Sequence, residues 1–195
     1  MFLLILFIII IFIILYFIYN KIYKYDNLVK VKSTVDNQSY WVRDKPDKVS
    51  AANTLARIKI NIVKLVEHLK KNIDRFPEYT SNITDLVKRT KVINIMETPA
   101  DEQFTSYTVN KGERVNMCIR SKIIENIHDM NTLMYVAIHE FSHVCTKSYG
   151  HTLEFKKNFR FLLEQSNEIG IYKPIDYRIY KQPYCGMVIN EYLLD

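Results

Sequence analysis

The sequence predicts an α+β fold in which an N-terminal transmembrane helix precedes one domain of helices around a small sheet. Three patterns predict it: an uninterrupted apolar run at the start of the chain, amphipathic stretches with helical spacing, and short alternating stretches bounded by turn residues. The 195 residues suffice for one compact domain and an appendage. We therefore predict an anchor over residues 1–20, a polar juxtamembrane segment over residues 21–49 and the folded domain over residues 50–195.

The predicted anchor is an unbroken run of 18 apolar and aromatic residues from Phe2 to Tyr19. A helix of this length covers about 27 Å, close to the hydrocarbon thickness of a bilayer. The alternative is a cleaved signal peptide, but no Lys or Arg precedes the run and no small-residue cleavage site follows it. The run therefore predicts a retained single-pass helix over residues 2–19, with the lipid bilayer as its partner.

The residues that flank this run predict its orientation. No charged side chain precedes it, and the basic residues that follow it are Lys21, Lys24, Lys30 and Lys32. The positive-inside rule then places the C-terminal domain on the cytoplasmic side. The three cysteines, an odd number without close pairing, favour free thiols in a reducing compartment and agree with that side. They are Cys118, Cys145 and Cys185.

The basic charge of the chain does not indicate a nucleic-acid-binding protein. The formal net charge is +6, from 27 Lys and Arg against 21 Asp and Glu. Between residues 59 and 75 the basic side chains are interleaved with acidic ones, which is the pattern of a solvated helix face. Nucleic acid is therefore not an expected partner.

The polar segment and the first half of the domain predict a hairpin or edge strand and then a long helix. Short alternating stretches around Val29–Val31 and Ser39–Val42 are the strand candidates. Ser50 is the expected N-cap of the helix. Its apolar residues recur at spacings of three and four, which predicts a packed face: Leu55, Ile58, Ile62, Leu65, Val66, Leu69 and Ile73.

The second half of the domain predicts three strands followed by two helices. The strands are residues 92–96, 105–109 and 114–119; a turn joins the last two, and Gly112 in that turn supplies a positive φ. One helix covers residues 133–144 with Asn131 as its cap, and the next runs from about Thr152 to Glu168 and stops at Gly170.

The strongest chemical signal is the pentapeptide His139-Glu140-Phe141-Ser142-His143. Residues four apart on a helix share a face, so both imidazoles can bind one metal ion. Glu140 lies about a quarter turn away, where its carboxylate can take a proton from a metal-bound water. Residues 133–138 are all apolar, which predicts a buried helix. The alternative is a pair of core histidines bonded to carbonyls, with Glu140 in a salt bridge.

A catalytic zinc ion takes three protein ligands and keeps a fourth position open. His151 is the expected third ligand, because Gly150 lets the chain turn sharply after the helix and return the imidazole to the metal. Glu154 and Cys185 are the alternatives. The cofactor that this set of residues predicts is Zn2+.

Peptide hydrolysis also needs a group that stabilises the oxyanion. Tyr184 and Tyr149 are the candidates because they lie near the motifs, in a chain with 14 tyrosines. Cys145, two residues past His143 on a different face of the helix, is interpreted as a small buried thiol.

From His139 to about Phe159 the chain resembles the minimal zinc peptidases of the WLM and SprT-like group. The matching residues are His139-Glu140-Phe141-Ser142-His143, then Gly150-His151, then Phe155. The resemblance implies a zincin-like domain with a central H-E-x-x-H helix, zinc bound by the histidines at 139, 143 and 151, and Glu140 as general base. Segments 107–112, 118–120 and 184–187 also make the chain similar to membrane-anchored WLM-type proteins of large DNA viruses, which implies a viral membrane and a cytoplasmic or virion-internal domain.

Together these observations predict a membrane-anchored zinc metallopeptidase that hydrolyses peptide bonds in a protein or peptide substrate, with Glu140 as the general base. The alternative is a non-catalytic membrane or virion protein in which zinc has a structural role. A DNA-associated repair protease is a third hypothesis, which the charge pattern disfavours.

Overall fold

The computed structural model describes residues 2–23, 28–100, 102–121 and 124–194, and in the first helix it describes the side chains of residues 6–16. Helices and short strands alternate in a mixed α and β architecture with a small sheet. The helices are α1 (Phe2–Tyr23), α2 (Lys48–Lys71), α3 (Thr80–Thr90), α4 (Met130–Cys145) and α5 (Leu153–Glu168). The strands are β1 (Leu28–Lys32), β2 (Ser39–Arg43), β3 (Asn94–Glu97), β4 (Tyr107–Val109), β5 (Arg114–Met117), β6 (Gln182–Tyr184) and β7 (Met187–Ile189).

A mixed three-stranded sheet lies beside α4. β5 is its middle strand, with β3 paired in parallel on one side and β4 paired antiparallel on the other. β4 is therefore an edge strand, and it is the strand that contacts α4. Two antiparallel hairpins, β1–β2 and β6–β7, lie outside this sheet. The edge of the sheet therefore lies next to the part of α4 that carries the His139–His143 motif.

Helix α4 is the centre of the hydrophobic core. Twelve of its 16 residues are buried, because the run from Leu133 to Ile138 is apolar on every side. Helices α2, α3 and α5 pack around it. The predicted stripe of α2 is buried from Leu55 to Leu69, and the helix ends at Lys71, before Ile73. Since most of α4 is buried, the polar residues that follow in it have fixed positions.

The N-terminal apolar run forms the helix α1, but the predicted membrane crossing is not supported. Within the residues that the structure describes, no helix combines the length and the apolar character that a bilayer requires. This finding overturns the predicted transmembrane helix, and with it the single-pass membrane localisation and its orientation. Lys24, one of the flanking lysines, lies outside the described residues.

Two predicted helix caps are wrong. α2 begins after Asp47 and not after Ser50. α4 begins after Asp129, whose carboxylate accepts an N–H of the first helical turn. Asn131, the predicted cap, is the second residue of α4, and its side chain donates to and accepts from the backbone of Lys173. The side chain of Asn131 therefore makes a long-range contact with Lys173 and does not cap the helix.

The prediction of three free thiols is wrong for two of them. Cys118 and Cys185 form a disulfide with Cα atoms 6.3 Å apart. The fold brings the β6–β7 turn, which contains Cys185, against the residue that follows β5, although 67 positions separate the two cysteines. Cys145 is a buried free thiol, as predicted.

Candidate metal centre

Three imidazoles converge at the C-terminal end of α4. His139 and His143 lie one helical turn apart, with ring centroids 5.0 Å apart. After the helix the chain turns back at Gly150, which adopts a φ of +76°, a conformation that residues with a Cβ rarely adopt. His151 follows, and its Nε2 lies 3.0 Å from Nε2 of His139. Among the described residues, these three histidines form a group whose ligand atoms lie within 4.8 Å of one another.

Two phenylalanines of α5 form an aromatic wall beside the imidazoles. The ring of Phe155 stacks on His143 at a centroid distance of 4.2 Å, and it meets the edges of His139 and His151 at 4.9 and 4.8 Å. Phe159 packs against His139 at 5.1 Å. These ring contacts restrict the rotation of the three imidazoles.

The charge state of the histidines suits metal binding. Burial, and then the neighbouring imidazoles, lower the pKa of His139 to about 3. Burial, and then the nearby His151, lower the pKa of His143 to about 4. Both imidazoles are therefore neutral near pH 7, and neutral imidazole is the form that binds a metal. Three nitrogen donors beside an open cleft fit the ligand set of a catalytic zinc ion.

Glu140 lies between the two helix histidines and is buried. Its carboxylate Oε2 and its backbone carbonyl both accept hydrogen bonds from the hydroxyl of Thr108 on β4, at 2.9 and 3.0 Å. Burial raises the pKa of Glu140 to about 7, and the Thr108 hydrogen bond opposes part of that rise. A carboxyl group with a pKa near 7 can take up and return a proton at neutral pH. Sequence reasoning missed Thr108, since nothing local in the sequence relates it to α4.

Side chains from elsewhere in the chain hold the loop that carries His151. Lys111, in the turn between β4 and β5, donates from Nζ to the carbonyls of Thr146 at 2.7 Å and Ser148 at 2.6 Å. From the other side, the carboxylate of Glu154 accepts the N–H groups of Lys147 and Ser148, each at 3.1 Å. The backbone of residues 146–148 is therefore hydrogen-bonded through its carbonyl groups to Lys111 and through its N–H groups to Glu154. These hydrogen bonds fix the path of the chain toward His151.

The turn that carries Lys111 is itself packed against the end of α4. Gly112 adopts a φ of +112°, and a Cβ at this position would lie 3.0 Å from Cγ1 of Val144. Arg89 of α3 donates to the carbonyls of Lys111 and Val144, at 3.1 and 3.0 Å. The guanidinium therefore joins the turn to the last residues of α4, so that Lys111 can reach the loop.

The cluster opens into a cleft of about 310 Å³. His139, Glu140, His143 and His151 line it, together with residues of β4 and of the turn after it. Tyr149 also lines it, 82% exposed, with its ring 4.4 Å from Nζ of Lys111.

The other predicted site residues are Tyr184, Cys185 and Glu154. Tyr184 is buried, and its hydroxyl hydrogen-bonds to Oγ of Ser106 at 2.6 Å; burial raises its pKa. It borders a second cavity that also contacts His139 and Glu140. Cys185, a possible third ligand in the sequence, is in the disulfide. The carboxylate of Glu154, the other alternative, accepts the two loop N–H groups, so neither one joins the histidine cluster.

Comparisons with known proteins place the chain among viral relatives. No protein-family model matches it. It is similar to the solved structure of Wss1 from Saccharomyces cerevisiae, with 23% identity and a TM-score of 0.49 over 66% of this chain and 85% of that one. An uncharacterized protein of Invertebrate iridescent virus 6 is 37% identical over 82 residues, which cover 40% of this chain and 46% of the relative. An uncharacterized protein of Acanthamoeba polyphaga mimivirus is 42% identical over 164 residues, which cover 84% of this chain and 83% of the relative. The chain therefore belongs to the same family as this mimivirus protein.

Proposed function

We propose that this chain is a zinc-dependent peptidase that hydrolyses peptide bonds, with His139, His143 and His151 as the metal ligands and Glu140 as the general base. The observation that carries the proposal is the convergence of three imidazole nitrogens beside a buried carboxylate at an open cleft. The sequence resemblance of residues 139–159 to WLM and SprT-like zinc peptidases supports the same assignment.

The three histidines would hold zinc through ring nitrogens, and the imidazoles of the half-buried His139 and His143 are neutral at pH 7. A bound zinc ion supplies Lewis-acid activation of a water molecule and of a substrate carbonyl. The stacking of Phe155 on His143 keeps the imidazoles in one orientation. The open cleft that the three histidines line leaves room for water and a peptide, as a catalytic site requires and a closed structural site does not.

Glu140 would move the proton. Thr108 occupies Oε2 of the carboxylate, which leaves Oε1 to accept a proton from the attacking water. Because the pKa of Glu140 is about 7, the same oxygen can then pass the proton to the leaving amine. The double contact of the Thr108 hydroxyl with the side chain and backbone of Glu140 fixes the carboxylate relative to α4.

Peptide hydrolysis by this mechanism also needs a group that stabilises the oxyanion, and the two candidates are Tyr184 and Tyr149. Tyr184 borders the cavity next to Glu140, but its hydroxyl is paired with Ser106 and would have to rotate to reach a substrate. Tyr149 lines the open cleft, and its side chain is exposed. Replacing each with Phe removes one hydroxyl, and the tyrosine whose loss lowers kcat without raising KM is the stabiliser.

The test is metal analysis combined with cleavage of an unfolded protein such as reduced casein. We expect about one zinc per chain in the wild type and in Glu140→Gln, loss of cleavage in Glu140→Gln, and loss of zinc in His151→Ala. Equal cleavage by Glu140→Gln would remove Glu140 as the base. Zinc that is retained without any cleavage, and without an effect of hydroxamates on the metal, would support the structural-site alternative instead.

A further inference from the structure

A second cavity, of about 450 Å³, adjoins the metal cleft. It shares Ser106, His139, Glu140 and His151 with that cleft, so the two spaces are neighbours at the histidine cluster. A peptide that lies across the cluster would therefore have one side chain directed into this cavity.

The lining of the second cavity is mostly apolar and comes from two parts of the chain. α4 and α5 contribute one wall, which includes Tyr135, Val136 and Phe159. The β6–β7 hairpin contributes the opposite wall through Met187, Val188 and Ile189. Met187 and Val188 are 50% and 49% exposed, although they are large apolar residues. The lining also contains one lysine, Lys156, and two glutamates, Glu140 and Glu191.

We propose that this cavity is a specificity subsite that binds a large apolar side chain of the residue next to the bond that is cleaved. The inference rests on the proposed function for the identity of the reaction, but not for the chemistry of the cavity. The mostly apolar lining favours an uncharged side chain such as Leu, Met or Phe. The shared lining residues Glu140 and His151 place the subsite beside the scissile peptide bond.

The hairpin wall is attached to the sheet by two links. Cys185, in the β6–β7 turn, is bonded to Cys118, which directly follows β5. Tyr184 is paired with the hydroxyl of Ser106, which also accepts the N–H of Cys118. Since the histidine ligands have no part in these links, the hairpin controls the shape of the subsite separately from the metal centre.

The experiment compares cleavage of a peptide series that varies one residue next to the cleavage site among Leu, Phe, Ala, Lys and Glu. We expect kcat/KM for Leu or Phe to exceed that for Ala by at least about 10-fold. Val188→Glu places a carboxylate in the hairpin wall and should remove most of this preference while zinc content stays the same. Val92→Glu is the matched control, because Val92 is 77% exposed and lines neither cavity. An unchanged preference in Val188→Glu overturns the subsite.

A second readout separates the subsite from the peptidase proposal. N-acetyl-leucinamide is titrated into the purified full-length chain, and the methyl resonances of Met187 and of the buried Met96 are followed by NMR. We expect a shift at Met187 that N-acetyl-glycinamide does not produce and that Val188→Glu weakens, with Met96 unchanged. Equal responses to the two amides overturn the subsite even if the chain is an active peptidase. A selective response without any cleavage supports the subsite and contradicts the proposed function.

Discussion

The helix half and the loop half of the candidate metal centre are held in different ways. The helix half consists of His139, Glu140 and His143. Its geometry follows from the backbone hydrogen bonds of α4 and from the burial of most of that helix. Thr108 supports it from outside the helix through its hydrogen bonds to Glu140, and Phe155 and Phe159 pack against the two imidazoles.

The loop half consists of His151 and residues 146–150. His151 is exposed, and the preceding peptide groups depend on Lys111 from a distant turn and on Glu154 from the next helix. A segment of this kind can open without unfolding the core, whereas α4 cannot. Two of the three histidines therefore share the stability of the whole domain, while the position of the third depends on a few long-range hydrogen bonds.

The largest expected effect comes from the core beneath the helix half. Phe141 is 1% exposed, so Phe141→Ala should lower the free energy of unfolding by about 3–5 kcal/mol through lost burial and a residual cavity. Urea denaturation measures the change, with Leu153→Ala, at an 84% exposed position, as the control. The zinc dissociation constant of the molecules that remain folded should stay close to that of the wild type. A large loss of zinc affinity without destabilisation would contradict the comparison.

Lys111→Met should weaken zinc binding while the free energy of unfolding stays close to that of the wild type. It removes both hydrogen bonds from Nζ to the loop carbonyls, so we expect the zinc dissociation constant to rise about 10-fold or more, within the range measured for groups that orient metal ligands. Competition with a chelating dye measures this constant. Lys111→Arg, which keeps the charge and the donors, should recover part of the affinity. In a His151→Ala background Lys111→Met should have no further effect, and an equal effect there would show that Lys111 does not act through His151.

The smallest expected effect is the pH response of Glu154. Hydrogen bonds with Ser148 and the N–H of Lys147 hold the pKa of this carboxyl below its ordinary value of 4.5. A lowered folded-state pKa means that the contribution to loop stability is complete above about pH 4.5 and is lost as the pH falls through the folded pKa. The amide 1H shifts of Lys147 and Ser148 should therefore change below pH 4.5 and stay constant above it. Glu154→Gln should abolish this titration, and persistence of the titration in the variant would assign it to another group.

The helix half of the centre could be predicted from the sequence because its information is local. The i, i+4 spacing of His139 and His143 fixes their shared face, and the apolar run before them indicates burial. His151 could also be predicted, since Gly150 marks the point where the chain can reverse. Whether the cluster binds zinc stays a prediction, which the geometry fits.

The contacts that hold the loop half could not be predicted, because they join residues far apart in the sequence. Nothing in the neighbourhood of Lys111 indicates that it reaches Ser148, 37 positions away. The Cys118–Cys185 disulfide also joins residues far apart in the sequence, and the odd number of cysteines had indicated free thiols instead. Asn131 was a reasonable cap by residue type, but the backbone of Lys173 uses its side chain.

Helix α3 and the β6–β7 hairpin were missed for different reasons. α3 has apolar residues at helical spacing, Ile83, Leu86 and Val87, and this pattern of 11 residues could have been recognised. The β6–β7 hairpin has three-residue strands, and Pro183 in the first of them is atypical of a strand. For the hairpin, tertiary contacts decide a structure that local propensity leaves open.

Gly112 limits which residues the turn between β4 and β5 can accept. It is not part of the histidine cluster, yet its φ of +112° is a conformation that residues with a Cβ rarely adopt, and a Cβ would lie 3.0 Å from Cγ1 of Val144. A side chain here would therefore strain the backbone and press on the end of α4, in the turn that also carries the amine of Lys111. The path of the loop before His151 thus depends in part on a glycine in a different turn of the chain.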